Sequence, residues 1–456
     1  MAALVPLGEV ADEQAHVLRA DSLLHGEIVE HRHQIRGGKA VVAGVDANPA
    51  LLSAASPFPG KLLPQKKLTP GEAATLKAIP WNKNTAFFNV RTIGLYLPIF
   101  YVPAAAAIEF ARIFHLSPYD AVLSARMLNA LCFSLIGVCA LLLARRGRML
   151  LFCVLALPMT ISLGASVNED GLLIATSALA FGLLTRAKAP HGPAYWTAAA
   201  LIAVIAAVKI PYVPLVFLLL IPCGWQGRFK KPLRTGLRTA ALAAAPGILW
   251  AAAGMLFIAT PFVSSAPYHP GYLWPGNRNA VFDSPDISAQ AEVFLHRPLY
   301  PIVLPIKTLE VQWPGLRDGT IGILGWLDLV LPREVYNFWM LAVGCAILSD
   351  ILAGAAGSRA PPWAAIGIGL LTVFGTLCAL FDAEYLTWSH VGAPLIEGIQ
   401  GRYLLLLLAA LAVCLPAVRI RGAARLKVAL AAPAFAMAAF GMVFLPSLIV
   451  STYYLR

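Results

Sequence analysis

Leu141-Leu-Leu-Ala-Arg145-Arg146-Gly-Arg148-Met-Leu-Leu-Phe152 is the stretch on which the reading of this chain turns. Three arginines within four positions stand between two long apolar runs. The chain therefore leaves one hydrophobic segment, makes a short basic turn and enters another. Working outward, the pattern repeats. About ten hydrophobic segments can be marked, at 120–144, 149–166, 170–186, 194–208, 210–224, 239–260, 335–350, 362–381, 403–418 and 428–450. Alternate gaps fall into two classes. One is short and basic: Arg145, Arg146 and Arg148; Arg186 and Lys188; Arg228, Lys230, Lys231, Arg234 and Arg238; Arg359; Arg419, Arg421, Arg425 and Lys427. The other holds the long polar segments and every acidic residue except Asp350. By the positive-inside rule the basic class is cytoplasmic. Carboxylates, histidines and aromatics, and with them any chemistry, are then expected on the extracytoplasmic face.

Composition agrees. The chain is 59% hydrophobic and only 13% charged, outside the range of soluble domains. Crossing about 30 Å of hydrocarbon takes roughly 20 residues, and a segment without water around it must satisfy its own backbone, which makes these segments helices. The expected fold is an all-α polytopic membrane protein. The net charge of +12 does not require nucleic acid: fifteen of the 35 basic residues lie in the basic gaps just named. All seven cysteines fall inside hydrophobic segments, so no disulfide framework is expected, and no CxxC or HExxH spacing offers a metal set. Met1 to Val5 lacks the basic region and apolar core of a signal peptide. Residues 1–119 nevertheless fall on the acidic side, so a preceding span is expected upstream of Asp12.

Along the chain the expected organisation has four parts: an outward segment 1–119, a first helix group 120–260, an outward loop 261–334, and a C-terminal group 335–456 interrupted by an outward loop 382–402. Asp12 to His25 reads as a helix closed by Gly26, with Asp12, His16 and Arg19 on one face. Residues 31–68 read as a polar loop. Thr69-Pro-Gly-Glu72 has capping-box spacing and predicts a short helix to about Ala78. Residues 92–114 are apolar but carry Pro98, Pro103, Glu109 and Arg112, which favours a bent helix in the membrane interface over a crossing. Aromatics punctuate the second outward segment at Tyr268-His269, Tyr272-Leu-Trp274 and Trp326. Two short outward turns are Ser166–Asp170 and Lys209–Tyr212. No internal repeat of spans is found.

Three stretches carry a resemblance when taken together: Val10-Ala-Asp12-Glu13-Gln-Ala-His16 leading to Leu24-His-Gly26; Leu324-Gly-Trp-Leu-Asp328 followed by Leu331-Pro332; and Tyr385-Leu-Thr-Trp388 running to Gly398-Ile-Gln-Gly-Arg402-Tyr403. The combination resembles the bacterial membrane-protein group designated domain of unknown function 2142, over essentially the whole chain. That group looks like a branch of the GT-C glycosyltransferase superfamily. The resemblance implies a GT-C-like bundle with a catalytic carboxylate on a helix in the first outward loop and further interfacial helices. It implies transfer of a sugar from a polyprenyl-phosphate donor to an envelope glycan or lipid, at the outer face of a bacterial inner membrane. The first span of that pattern is missing here.

Inverting glycosyl transfer needs a base for the acceptor hydroxyl and a stabiliser for the departing phosphate. Asp12 is the candidate base, Glu13 its alternate, and His16 a partner for Asp12 or the acceptor. The two carboxylates equally suit a helix start with no chemistry. Lys209 and Arg402 are candidate phosphate ligands, with Arg126 in support and Asp170 as the expected partner of Arg126; snorkelling to the interface is the alternative role for these cations. Tyr212, Tyr403, Gln400, Trp326 and Trp388 complete the candidate substrate site, the tryptophans serving either sugar stacking or an aromatic belt. Asp170 with Glu169, or Asp382 with Glu384, could hold a cation, but scattered solvated acids are the simpler reading; no metal or other cofactor is expected. The rival function is a transporter or flippase of lipid-linked sugars, which should show repeat symmetry and ionisable groups near the midplane. A non-catalytic assembly partner is a third.

Overall fold

The computed structural model describes residues 1–34, 41–55, 67–90, 93–94, 96–226, 230–258, 287–352, 363–418, 420 and 423–455. It is a helical bundle with almost no sheet. The helices begin where local chemistry starts them. Ser117 accepts a hydrogen bond from the Asp120 amide ahead of Pro118–Leu143, and Asn168 does the same for Asp170 ahead of Glu169–Leu184. Thr69 and Glu72 form the capping box expected for Pro70–Lys77. Prolines shape the rest. Leu157, extended before Pro158, divides Arg148–Ala156 from Pro158–Gly164. Pro214 and Pro222 lie within a 17-residue 3-10 helix, Ile210–Gln226. At about 2.0 Å per residue that segment reaches about 34 Å, comparable with the hydrocarbon thickness.

Among the described residues, five helices are each long and apolar enough to cross a membrane: Pro118–Leu143, Pro232–Ile258, Arg333–Ile351, Trp363–Thr387 and Ala424–Tyr453. A sixth follows if Pro158–Gly164 and Glu169–Leu184, which meet at 113°, are counted as one broken span. The other segments read as spans are shorter apolar helices, Pro193–Val208, Ile210–Cys223 and Gly401–Cys414.

Among the described residues, several of the gaps between these segments meet at one of two poles. At one, the Leu150 amide donates to Asp350 at 2.9 Å, the Arg145 amide to the Thr185 hydroxyl at 2.9 Å, and Ser349 to the Lys427 carbonyl at 3.0 Å. These are the basic gaps, and Asp350, the one acid assigned to that side, is buried among them as a backbone acceptor. At the other pole Trp326 Nε1 donates to the Gly8 carbonyl at 2.6 Å, the Val167 amide to Glu13 at 3.0 Å, and Lys67 to the Ser451 and Thr452 carbonyls at 2.7 and 2.6 Å. The segments predicted to share a face therefore do meet.

The outward segments hold more structure than their sequence suggested. Within 31–68, His31–Gln34 and Val41–Ala47 pair antiparallel, and Ala86–Phe88 adds a third strand; Pro49–Ala54 is helical. The expected loop is corrected there because strand pairing satisfies its backbone. Within 261–334, Ile287–His296 and the 23-residue Tyr300–Gly322 are helices, despite Pro305 and Pro314 in the latter. Tyr268-His269 and Tyr272-Leu-Trp274 lie outside the described residues. Residues 98–113 form a short 3-10 turn and the helix Val102–Ile113. At about 1.5 Å per residue twelve residues span about 18 Å, too little to cross. This helix buries Ala104, Ala107, Ile108 and Ala111 and exposes Val102, Phe110 and Ile113, the two-faced pattern expected of an interfacial helix.

Candidate functional site

The site grows from Glu13–Ser22, the helix expected from Asp12 onward, continued by a 3-10 turn to Gly26 with φ 83°. Asp12 does not cap it by a side-chain bond; its own backbone is left-handed, φ 66°, a conformation that Asp and Asn tolerate better than most residues. That places the Asp12 carboxylate away from the helix amides. It meets Arg402 instead, Nη2 to Oδ2 at 2.7 Å. Asp12 therefore stands at the helix start without capping it and is paired with a distant segment.

Arg402 is placed by the two glycines of its motif. At Gly401 a side chain would lie 2.3 Å from the Thr320 nitrogen, so only glycine lets the segment press on Tyr300–Gly322, where Thr320 donates to the Gly401 carbonyl at 3.0 Å. Gly398, with φ 80°, carries the Trp388 ring in the space a Cβ would fill. The chain leaves Gly401 with Arg402 aimed inward and only 9% exposed.

From Arg402 an ion-pair chain runs inward. Its Nε lies 3.6 Å from Asp170. Asp170 pairs with Lys209, which also reaches Glu169 at 3.0 Å. Glu169 Oε2 lies 2.9 Å from His16 Nδ1 and accepts the Tyr101 hydroxyl at 3.0 Å; His16 Nδ1 and that hydroxyl are 2.7 Å apart. Tyr96 and Tyr403 present their rings to Lys209 at 4.8 and 5.7 Å, distances suited to cation–π attraction. Tyr212 is buried and donates to the Tyr403 carbonyl at 3.3 Å. Glu384, on Trp363–Thr387, lies within electrostatic reach of Lys209 and Arg402. Asp12 is the exposed member: its side chain is 45% accessible, against 9% or less for Arg402, Asp170, Lys209, Glu169 and His16.

Three expected roles are corrected. His16 does not bond Asp12; one helical turn turns it inward to Glu169. Arg126 does not pair with Asp170, nor can it offer a donor to phosphate. Its five donors are all engaged: Nε and Nη2 with Glu13 at 2.7 and 2.5 Å, and the terminal nitrogens with the carbonyls of Ala2, Val5 and Pro6 at 3.1, 2.5 and 3.0 Å. Glu13 in turn accepts the Gly8 and Val167 amides at 3.2 and 3.0 Å. Glu13 and Arg126 are thus a buried clamp that holds residues 2–8 and the 166–168 turn beside Asp12. Trp326 belongs to the same framework through Gly8. Trp388 is 45% exposed against Gly398, and among the described residues the buried Gln400 Oε1 has no hydrogen-bond partner.

Glu169, Tyr96 and Tyr101 are the members that sequence reasoning undervalued. The Glu169-Asp170 pair at a helix start was legible as a charge pair, whereas nothing local marked the two tyrosines. Among the described residues, the group whose ligand atoms fall within 4.8 Å of one another is Glu27, His31 and Asp46, outside this site.

An all-α bundle with several membrane-length helices and a charged cluster at one pole defines an integral, multi-pass membrane protein. The chain belongs to the family described as predicted membrane protein (DUF2142), whose model matches residues 1–445. Comparison with curated proteins and with solved structures finds no match.

Proposed function

We propose that this protein is a glycosyltransferase of the GT-C type. It takes a sugar from a polyprenyl-phosphate donor and passes it to an envelope glycan or lipid at the extracytoplasmic face of the bacterial inner membrane. The observation that carries this reading is the junction of Asp12 with Arg402, linked through Asp170 to Lys209: an accessible carboxylate directly against a buried cation at the acidic pole. Asp12 is the base that takes the proton from the acceptor hydroxyl. Arg402, with its planar fork, and Lys209 receive the phosphate as the bond to the sugar breaks. Glu169, Asp170, His16 and Tyr101 hold those cations in place and act as positioning residues.

Asp12 and a donor phosphate would compete for Arg402, so in this reading phosphate binding frees the carboxylate when there is a sugar to accept attack. Tyr212 and Tyr403 pack beside Lys209 and Arg402, and Gln400, Trp326 and Trp388 are the candidates for contacting the sugar. A transporter or flippase is less well supported, since the charged cluster sits at a pole.

The test is transfer of labelled sugar from polyprenyl-phosphate sugars in membranes containing wild type or Asp12→Asn. Asparagine keeps the shape and tolerates the left-handed backbone, so the fold should survive. Loss of transfer with normal protein levels supports the assignment; undiminished turnover removes it.

A further inference from the structure

The basic pole carries an open pocket of about 410 Å³ that the sugar-transfer reading does not use. Its walls come from two places: Arg145 in the turn after Pro118–Leu143, and the turn 186–194 between Glu169–Leu184 and Pro193–Val208, with Arg186, Lys188 and His191. Arg145, Lys188 and His191 are exposed, and Arg186 is half-buried with one guanidinium nitrogen on the Leu143 carbonyl at 3.3 Å. Among the described residues no carboxylate lies within ion-pair distance of these four. Asp350, the acid at this pole, is occupied by the Leu150 amide.

A solvated basic turn meets the positive-inside rule without forming a cavity. Here the turn 186–194 meets Arg145, from a turn 41 positions earlier, around one pocket, and the adjoining helices expose apolar side chains. Leu142, three residues before Arg145, is 71% exposed, and Trp196, one turn into the next helix, is 49% exposed. An exposed tryptophan at a helix end marks the headgroup level of a bilayer. A ligand in the pocket meets Arg145, Arg186, Lys188 and His191, and Leu142 and Trp196 are exposed on the helices that adjoin it.

We propose that this cavity binds the phosphodiester headgroup of an anionic phospholipid from the leaflet at the basic pole, with its acyl chains along Leu142 and Trp196. Arg145, Arg186 and Lys188 supply charge and His191 a further hydrogen bond. The lipid adds to the Arg145–Thr185 and Arg186–Leu143 hydrogen bonds that already tie these helix ends together.

The full chain, purified in a neutral detergent, is titrated with dioctanoyl phosphatidylglycerol, dioctanoyl phosphatidylcholine and inorganic phosphate, with binding read by native mass spectrometry and thermal unfolding. Phosphatidylglycerol should be retained and should raise the unfolding temperature; phosphatidylcholine should do neither. Near a membrane surface each basic residue contributes about 1 kcal/mol, so Arg145→Gln and Lys188→Gln should each weaken binding about fivefold. Arg145→Lys should retain it, and all three variants should unfold like wild type without lipid. Arg425→Gln, an exposed basic change outside the cavity, should have no effect. An equal loss with Arg425→Gln would reduce the effect to general surface charge. Inorganic phosphate binding as tightly as the lipid would make this a soluble-anion site, and equal retention of phosphatidylcholine would remove headgroup recognition; each result overturns the proposal.

Discussion

Asp12 and Arg402 stand 390 positions apart and are joined by a 2.7 Å ion pair. One lies before the first helix, the other at the end of the third outward segment. Their pairing closes the acidic pole across nearly the whole chain. Burial is unequal: Arg402 is locked among Asp170, Lys209 and Tyr403, while Asp12 faces outward. Such a pair can be opened from the outside without disturbing the core.

Arg402→Lys tests the fork. Lysine keeps the charge but cannot hold Asp12 and face Asp170 with one planar group. A charged hydrogen bond contributes about 1.5–3 kcal/mol, so transfer by the variant should fall roughly 10–100-fold, with the change in KM for donor exceeding that for acceptor. Steady-state kinetics with both substrates varied would show it, and an unchanged donor KM would remove Arg402 from the phosphate site.

Glu13 and Arg126 should behave differently from Asp12. Each is buried, and each leaves an uncompensated charge when its partner is removed, at a cost of about 3–5 kcal/mol. Glu13→Gln and Arg126→Met should each lower the unfolding temperature strongly, and the double change should be milder than the two singles added. Additive losses in this double-mutant cycle would mean that the two side chains do not act as a pair.

Glu30 gives a pH prediction away from the candidate site. Its residue is 4% exposed, and among the described residues neither carboxyl oxygen has a hydrogen-bond partner. Burial pushes its pKa up to about 8 from an ordinary 4.5, with Arg19 opposing and Glu27 adding. The folded chain therefore holds a proton that the unfolded chain has released between these values, and stability falls as pH rises through that window. Glu30→Gln should flatten this dependence and raise the unfolding temperature by several degrees at pH 8, with little change at pH 4.5. Thermal scans across that range decide it; parallel curves for the two proteins would exclude Glu30 as the source.

Orientation is open to direct measurement. Single cysteines introduced at Lys83 and His296 should react with an impermeant maleimide added outside intact spheroplasts. Cysteines at Arg145 and Lys188 should react only after lysis. Labelling of Lys188→Cys from outside would invert the assignment and place Asp12 on the cytoplasmic side.

By itself the sequence determined the class of the molecule and the division of its gaps. Apolar length and the segregation of basic from acidic turns are one-dimensional properties, so the two poles were legible before any contact was known. So were the helix from Asp12 to Gly26 and the Thr69 capping box, because both depend on residues within a few positions. The identity of partners was not legible. Arg126 was expected beside Asp170 because they lie at neighbouring span ends; the tertiary structure gives it to Glu13, which alone brings two carboxylate oxygens into line with its fork while backbone carbonyls take the remaining donors. His16 turned inward to Glu169 for the same reason: a buried imidazole takes the polar partner that packing places beside it. The strands at 31–34, 41–47 and 86–88 pair residues from separate stretches, and no local pattern records that pairing. Tertiary structure also decided that Asp12, Arg402, Asp170 and Lys209 form one chain of charge, since burial leaves a cation stable only where carboxylates from other segments converge on it.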